Sequence, residues 1–214
     1  MIHLIKAHRE FLSMLLLTGM LVLGGHLPYR LESALFFVVV FLVALLSSTR
    51  NAIQTALLGV STVFYLLAWH DAFHQVLLSA MFCVSGLICL AYGVSSTIAF
   101  VLTSREVSRR EVFALVNCYM LVGYFFALLY TLVENAAPGS FLLPARPERL
   151  MDSLIYLSFS TMTTVGYGDA APVSTLAQRL CVSQAVFGQF YFALVVAYLL
   201  NKLFQQGRDV GDQQ

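Results

Sequence analysis

A segment of seven residues, Thr163 to Asp169, has the composition of a cation site built from backbone oxygens. It reads Thr-Thr-Val-Gly-Tyr-Gly-Asp. A cation that has shed its hydration shell needs substitute oxygens, and backbone carbonyls supply them if an extended chain turns them all to one side. Gly166 and Gly168 favour such a chain, because glycine adopts backbone angles that other residues avoid. We predict that the backbone carbonyls of Thr164, Val165, Gly166 and Tyr167 bind the cation. The Thr164 hydroxyl would add a further set of oxygens. This cation-selective segment, the filter, ends at Gly168.

A short apolar segment, Leu150 to Met162, must position these carbonyls. It is too short to span a bilayer, so the sequence predicts a re-entrant helix whose C-terminal partial charge faces the ion path. Pro147 and Glu148 suit the start of such a helix. One chain supplies one strand of the filter, so we expect four chains around an axis.

The composition places the chain in a membrane. Of its 214 residues, 59% are hydrophobic and only 11% are charged, which is too apolar for a soluble domain. Long apolar runs predict six membrane spans, at about 11–27, 33–48, 52–69, 75–103, 112–133 and 174–204. The sequence therefore predicts an all-α membrane protein with six transmembrane helices, a re-entrant pore helix and an extended filter, assembled as a tetramer.

The basic residues indicate the orientation of these spans. With both termini inside, eight of the twelve Lys and Arg residues lie on the cytoplasmic side and four outside. This bias follows the positive-inside rule, so we expect both termini in the cytoplasm. The net charge is +1, and no basic cluster is larger than the group of Arg105, Arg109 and Arg110, so the sequence gives no indication of nucleic-acid binding.

The segment from Ser160 to Asp169 resembles the signature of the potassium channel family. The resemblance continues on both sides, because the family has an outer helix, a pore helix, a filter and an inner helix, and residues 112–204 offer all four in that order. It implies a prokaryotic six-helix channel of the voltage-gated-like superfamily, a homotetramer in the bacterial inner membrane with K⁺ ions in the filter and no organic cofactor.

The resemblance also implies roles for residues around the filter. Tyr156, Ser160 and Asp169 would form a hydrogen-bonded support, although the family often has two tryptophans where this chain has Tyr156 and Leu157. Gly188 stands at the spacing of a gating hinge in the inner helix. The alternative for Gly188 is that it only allows close helix packing.

One face of the last span could line the pore below the filter. Its residues recur at three- and four-residue spacing, and the largest of them could form a hydrophobic gate. The same periodicity also arises when a helix face packs against another helix, and the sequence does not choose between the two. The candidates for pore lining and gate are Gln189, Phe192, Val196, Leu200 and Phe204.

The first four spans differ from a voltage sensor. The fourth, from Gln75 to Thr103, carries no Lys, Arg, Asp, Glu or His, whereas steep voltage dependence requires about 3 to 4 gating charges per subunit. The predicted organisation is a voltage-sensor-like four-helix domain that lacks gating charges (1–104), a cytoplasmic linker (105–111), a pore domain (112–205) and a short cytoplasmic tail (206–214). The short tail predicts no attached ligand-binding domain, and the gating ligand is not indicated.

The predicted function is passive, potassium-selective conduction. The alternatives are a poorly selective cation channel and a non-conducting membrane sensor or scaffold. An enzyme is not expected, because the spans hold no His, Asp or Glu constellation for catalysis. His70, Asp71 and His74 could sense pH or bind a metal, but solvated loop residues are the simpler interpretation. Four cysteines inside apolar spans are interpreted as buried hydrophobic residues.

Overall fold

The computed structural model of the chain describes residues 9–23, 39, 56, 59, 75–104, 108–144 and 150–211. The regular elements within these residues are five helices and one small antiparallel sheet. They are α1 (Arg9–Leu23), α2 (Gln75–Thr103), α3 (Arg109–Ala136), β1 (Phe141–Leu142), α4 (Leu150–Met162), β2 (Ala171–Pro172) and α5 (Thr175–Gly211).

Three segments of the described helices are long and apolar enough to cross a membrane: Cys83–Thr103, Arg109–Ala136 and Thr175–Gln205. The apolar part of α1, Glu10–Val22, is shorter. The protein is therefore a mostly helical membrane protein. The second and third predicted spans lie, except for isolated residues, outside the part of the chain that the structure describes, so the number of six spans stays a prediction.

Two helices extend into the predicted linker and tail. Helix α3 begins at Arg109, where Ser108 N donates a hydrogen bond to the Glu111 carboxylate at 3.2 Å and satisfies a free amide at the helix start. Helix α5 continues to Gly211. The domain boundaries themselves stay predictions.

The N-terminal helix α1 packs alongside α3 through polar contacts to its backbone. Asn117 Nδ2 donates to Glu10 O at 2.9 Å, and Tyr124 Oη donates to Leu17 O at 3.0 Å. The second contact lies seven residues further along both helices than the first, so α1 and α3 run parallel. Helix α2 packs on another part of α3, where a Cβ at Gly86 would lie 2.6 Å from Leu128 Cδ2.

The loop after α3 is tied to the segment that follows Asp169. The Glu134 carboxylate accepts hydrogen bonds from Gly139 N at 2.7 Å and Phe141 N at 3.0 Å. Strands β1 and β2 then pair, with Phe141 opposite Pro172, and Val173 N donates to Ser140 O at 2.8 Å. These bonds hold the loop after α3 next to the residues that precede α5, at one end of the helix bundle.

A buried ion pair joins α3 and α5 at the opposite end of the bundle. Lys202 Nζ lies 2.6 Å from Glu111 Oε1, and the two side chains are 10% and 0% exposed. Lys202 Nζ also donates to Tyr198 Oη at 3.2 Å, and Tyr198 Oη donates to Val101 O on α2 at 2.8 Å. The ends of three helices are therefore connected through one buried lysine.

We expect Lys202→Met to destabilise the fold. Methionine keeps an unbranched side chain, one atom shorter, but leaves the Glu111 carboxylate buried without its cation, which costs about 3 kcal/mol of unfolding free energy. Thermal denaturation of the purified protein in detergent measures this loss.

The double variant Glu111→Gln/Lys202→Met should recover most of the lost stability, because no buried charge then lacks a partner. Leu203→Met, at an exposed neighbouring position of α5, is the matched control and should change the stability by less than about 0.5 kcal/mol. An equal loss in the control would show that the ion pair contributes nothing specific.

Candidate functional site

The C-terminal end of α4 has four carbonyls without partners inside the helix, as every α-helix does. All four accept hydrogen bonds, three of them from the residues that follow at once. Phe159 O accepts from Thr163 N at 2.9 Å, Thr161 O from Thr164 N at 3.0 Å, and Ser160 O from Val165 N at 2.9 Å and Gly166 N at 3.2 Å. Met162 O accepts from Tyr119 Oη of α3 at 3.2 Å. The chain after α4 therefore folds back onto the helix end.

These bonds determine where two carbonyls of the next segment point. In a trans peptide the N–H and the C=O point in opposite directions, and no described peptide bond is cis. The N–H groups of Val165 and Gly166 both point at Ser160 O. The carbonyls of Thr164 and Val165, which belong to the same peptide units, therefore point away from α4 and share one side of the chain.

The backbone angles alternate along this segment. Thr164, Gly166 and Gly168 have φ of 62°, 53° and 84°, whereas no positive φ occurs at Val165 or Tyr167. Alternating conformations of this kind align successive N–H groups on one side, and hence successive carbonyls on the other. The sequence predicts the unusual backbone angles of the two glycines. It does not predict the left-handed Thr164, since a β-branched residue rarely adopts a positive φ.

The segment lies on the surface of the single chain. All residues from Thr163 to Asp169 are exposed. Val165 and Tyr167, whose types favour burial, are 52% and 72% exposed. The side of the chain that carries the aligned carbonyls is thus open to a partner, an ion or solvent.

Tyr156 connects α4 to the far end of the segment. Its hydroxyl donates to the Asp169 carboxylate, with oxygen–oxygen distances of 2.8 and 3.0 Å, and its ring stacks on that of Tyr167 with centroids 6.0 Å apart and planes 10° apart. Desolvation, and then the hydrogen bond to Asp169, raise the pKa of the Tyr156 phenol to about 12. At neutral pH the phenol therefore keeps the proton that it donates.

Ser160 takes part differently from the expectation. Its hydroxyl donates to Leu157 O at 3.0 Å within α4 and not to the Tyr156–Asp169 pair. Its contribution is the backbone carbonyl that accepts from Val165 and Gly166. A serine hydroxyl has one hydrogen, and the nearby helix carbonyl takes it.

Gly188 allows close packing between α5 and the end of α4. A Cβ at this position would overlap the Met162 carbonyl oxygen and lie 3.1 Å from Met162 Cγ. Helix α5 runs from Thr175 to Gly211 without a break. The geometry thus favours the packing interpretation of Gly188, and its role as a hinge stays a prediction.

The predicted pore-lining residues lie on the open side of α5. The packed side follows a separate stripe of buried residues: Ala177, Cys181, Gln184, Gly188 and Lys202. The predicted residues are all exposed: Gln189, Phe192, Val196, Leu200 and Phe204. Further apolar residues, including Phe190 and Leu194, are exposed beside them. The open side is therefore wider than a single pore-lining stripe.

Sequence reasoning missed a buried polar chain behind the segment. Gln184 Nε2 on α5 donates to Ser158 Oγ on α4 at 2.7 Å, and Gln184 Oε1 accepts from Tyr130 Oη on α3 at 2.5 Å. All three side chains are fully buried. The one signal in the sequence was a glutamine inside an apolar span, where an unpaired amide would be costly.

Other candidate residues give no second site. His70, Asp71 and His74 lie outside the described residues. Within the part of the chain that the structure describes, no group of three His, Cys, Asp or Glu residues could hold a metal ion. The four cysteines are all free and buried.

Two comparisons with known proteins gave matches to ion channels. Residues 111–205 match a family model described as an ion channel. A segment is also 31% identical over 85 residues to the inward rectifier potassium channel Kirbac3.1 of Paramagnetospirillum magnetotacticum. That alignment covers 38% of this chain and 25% of the relative. No solved structure matches.

Together with the apolar helices, these matches support an ion channel domain in an integral membrane protein, and a channel rather than an enzyme. The matched residues include α4, the Thr163–Asp169 segment and most of α3 and α5. The exposed carbonyls described above lie inside this domain.

We expect Gly188→Ala to destabilise the protein by about 1 to 3 kcal/mol, because the added methyl group would force α5 away from Met162 O. Gly19→Ala is the matched control. Gly19 also lies within a helix, but a Cβ there would meet nothing within 4 Å, so the better helix propensity of alanine should keep stability equal or higher. Thermal denaturation of both variants measures the difference, and equal stability of the two would contradict close packing at Gly188.

Proposed function

We propose that the protein is a potassium-selective channel whose filter runs from Thr164 to Gly168. The observation that carries this proposal is the pair of hydrogen bonds from Val165 N and Gly166 N to Ser160 O, which turns the Thr164 and Val165 carbonyls to the exposed side. A stack of carbonyls on one side of a chain can replace the hydration shell of a monovalent cation. The relative named above is an inward rectifier potassium channel, which agrees with potassium as the permeant ion.

The functional unit is a homotetramer in the proposed channel. One chain presents its carbonyls along one side only, and four such sides are needed to surround an ion. In the apolar window of α5, 17% of the stretch is buried within the single chain, against 56% for the corresponding window of α3. The open side of α5, next to the exposed filter, is thus the surface on which neighbouring copies would pack around the axis, leaving Leu200 and Phe204 as candidates for the gate.

In this mechanism K⁺ enters from water, exchanges its shell for the carbonyls of Thr164, Val165, Gly166 and Tyr167, and moves on when another ion enters. Conduction requires binding that is favourable but easily reversed. The protein supplies fixed oxygens and no covalent step. Tyr156 and Asp169 support the outer end of the filter through their hydrogen bonds.

Gating in the proposed channel does not rest on charge movement in α2. This helix contains no ionisable Lys, Arg, Asp, Glu or His from Gln75 to Thr103, so a change of membrane potential would do little work on it. Opening should accordingly depend weakly on voltage.

Ion flux in liposomes tests the proposal directly. Purified protein is reconstituted into vesicles loaded with K⁺, and flux is followed with a dye that reports membrane potential, with K⁺ or Na⁺ outside. We expect K⁺ to set the potential and Na⁺ to be excluded by at least about tenfold. Equal flux of the two cations would indicate the poorly selective alternative, and no flux from an intact tetramer would indicate a non-conducting protein.

We expect Gly166→Ala and Gly168→Ala to abolish selective K⁺ flux. Both positions have positive φ and open space for a Cβ, so the change opposes the backbone conformation without a steric clash. Gly139→Ala is the matched control, because Gly139 has the same φ of 84° as Gly168 but lies in the loop after α3. The control should retain potassium selectivity, and selectivity retained in the filter variants as well would contradict the filter assignment.

A further inference from the structure

The buried side chain of Gln184 lies at the centre of a directional hydrogen-bond chain. Ser158 Oγ donates to Gly123 O at 2.7 Å, and this uses the one hydrogen of the hydroxyl. Ser158 must therefore accept from Gln184 Nε2, which leaves Gln184 Oε1 to accept from Tyr130 Oη. The orientation of the amide is fixed, since a rotation by 180° would break both of its bonds.

These hydrogen bonds connect the three helices of the channel domain. Gly123 and Tyr130 belong to α3, Ser158 to α4 and Gln184 to α5. All of the side chains involved are 0% exposed, so no water competes for these bonds. Sliding or rotation of α5 relative to α4 would separate Gln184 from Ser158.

The hydrogen-bond network meets α4 close to the residues that orient the candidate filter. Ser158 lies two residues before Ser160, whose carbonyl orients the Val165 and Gly166 peptides. One turn further along α5, Gly188 packs against Met162 O at the last residue of α4. Glycine permits a close approach there, but it has no side chain to specify the relative position of the two helices along their axes.

We propose that Gln184 is a positioning residue for potassium selectivity: it fixes the end of α4 relative to α3 and α5, and through the Ser160 carbonyl it fixes the spacing of the filter oxygens. The inference rests on the proposed channel function and adds a determinant of selectivity outside the filter. It also makes the filter sensitive to the position of α5, the helix that carries the candidate gate.

Gln184→Met tests the proposal, because methionine has a similar length and neither bond. We expect the ratio of Na⁺ to K⁺ permeability, from reversal potentials in bilayers, to rise by about tenfold or more. Gln205→Met, the same change at an exposed position of α5, is the control and should alter the ratio by less than about twofold. A second readout is the rise in Tm on exchanging Na⁺ for K⁺, because ions bound in the filter stabilise the folded state. This rise should shrink in Gln184→Met and persist in Gln205→Met.

A triple variant separates positioning from stability. Tyr130→Phe, Ser158→Ala and Gln184→Leu together leave no side chain of the network without a partner, so the Tm in Na⁺ should recover. If Gln184 positions the filter, the triple variant stays poorly selective; recovery of both Tm and selectivity would show a merely structural role and overturn the inference. If Gln184→Met does not assemble, Tyr130→Phe, which removes one bond and keeps the ring, should shift selectivity in the same direction.

The same recordings distinguish failure of the inference from failure of the proposed function. A wild-type protein that passes Na⁺ and K⁺ equally, or neither, removes the channel proposal itself. A selective wild type with an equally selective and stable Gln184→Met variant overturns the inference alone.

Discussion

The Ser160 carbonyl oxygen, with hydrogen bonds from two successive backbone N–H groups, is the constraint on which the candidate filter depends. A helix end always leaves carbonyls to be satisfied, and water is scarce among packed apolar helices. The residues after α4 satisfy them by folding back. In doing so they must direct their own carbonyls away from the helix, so that one requirement of helix termination creates the row of oxygens. The left-handed Thr164 is the local strain that this arrangement carries.

The position of that helix end depends in turn on α3 and α5. Apolar helices in a membrane gain little from hydrophobic burial against one another, so close packing and polar contacts decide their association. Both occur around α4. Gly123 admits the Phe159 ring, which a Cβ would approach to 2.5 Å, and Gly188 admits the Met162 carbonyl. Tyr119 and Gln184 add directional bonds that small residues cannot supply.

Sequence reasoning located the elements better than their contacts. The range of α4 follows from its apolar length and from the turn residues around it. Gly166 and Gly168 are recognised as positions of unusual backbone conformation because they are glycines. The bond between Gln184 and Tyr130 joins residues 54 positions apart, which periodicity on one helix does not reveal. The sequence shows Lys202 only as a basic residue near the end of an apolar span, whereas the structure buries its ammonium against Glu111. Its partner, 91 positions earlier, depends on how α3 and α5 pack.

The membrane limits what can cover the exposed side of the single chain. Exposed apolar side chains such as Phe192 on α5 are compatible with lipid, with a pore lining or with another copy. The exposed backbone from Thr163 to Asp169 is more restrictive, because irregular backbone within a bilayer is tolerated only where protein or water covers it. If α4 is re-entrant, lipid cannot cover this segment. In the proposed tetramer, neighbouring copies around a water-filled axis would cover both surfaces, and the carbonyls turned away from Ser160 would face that axis.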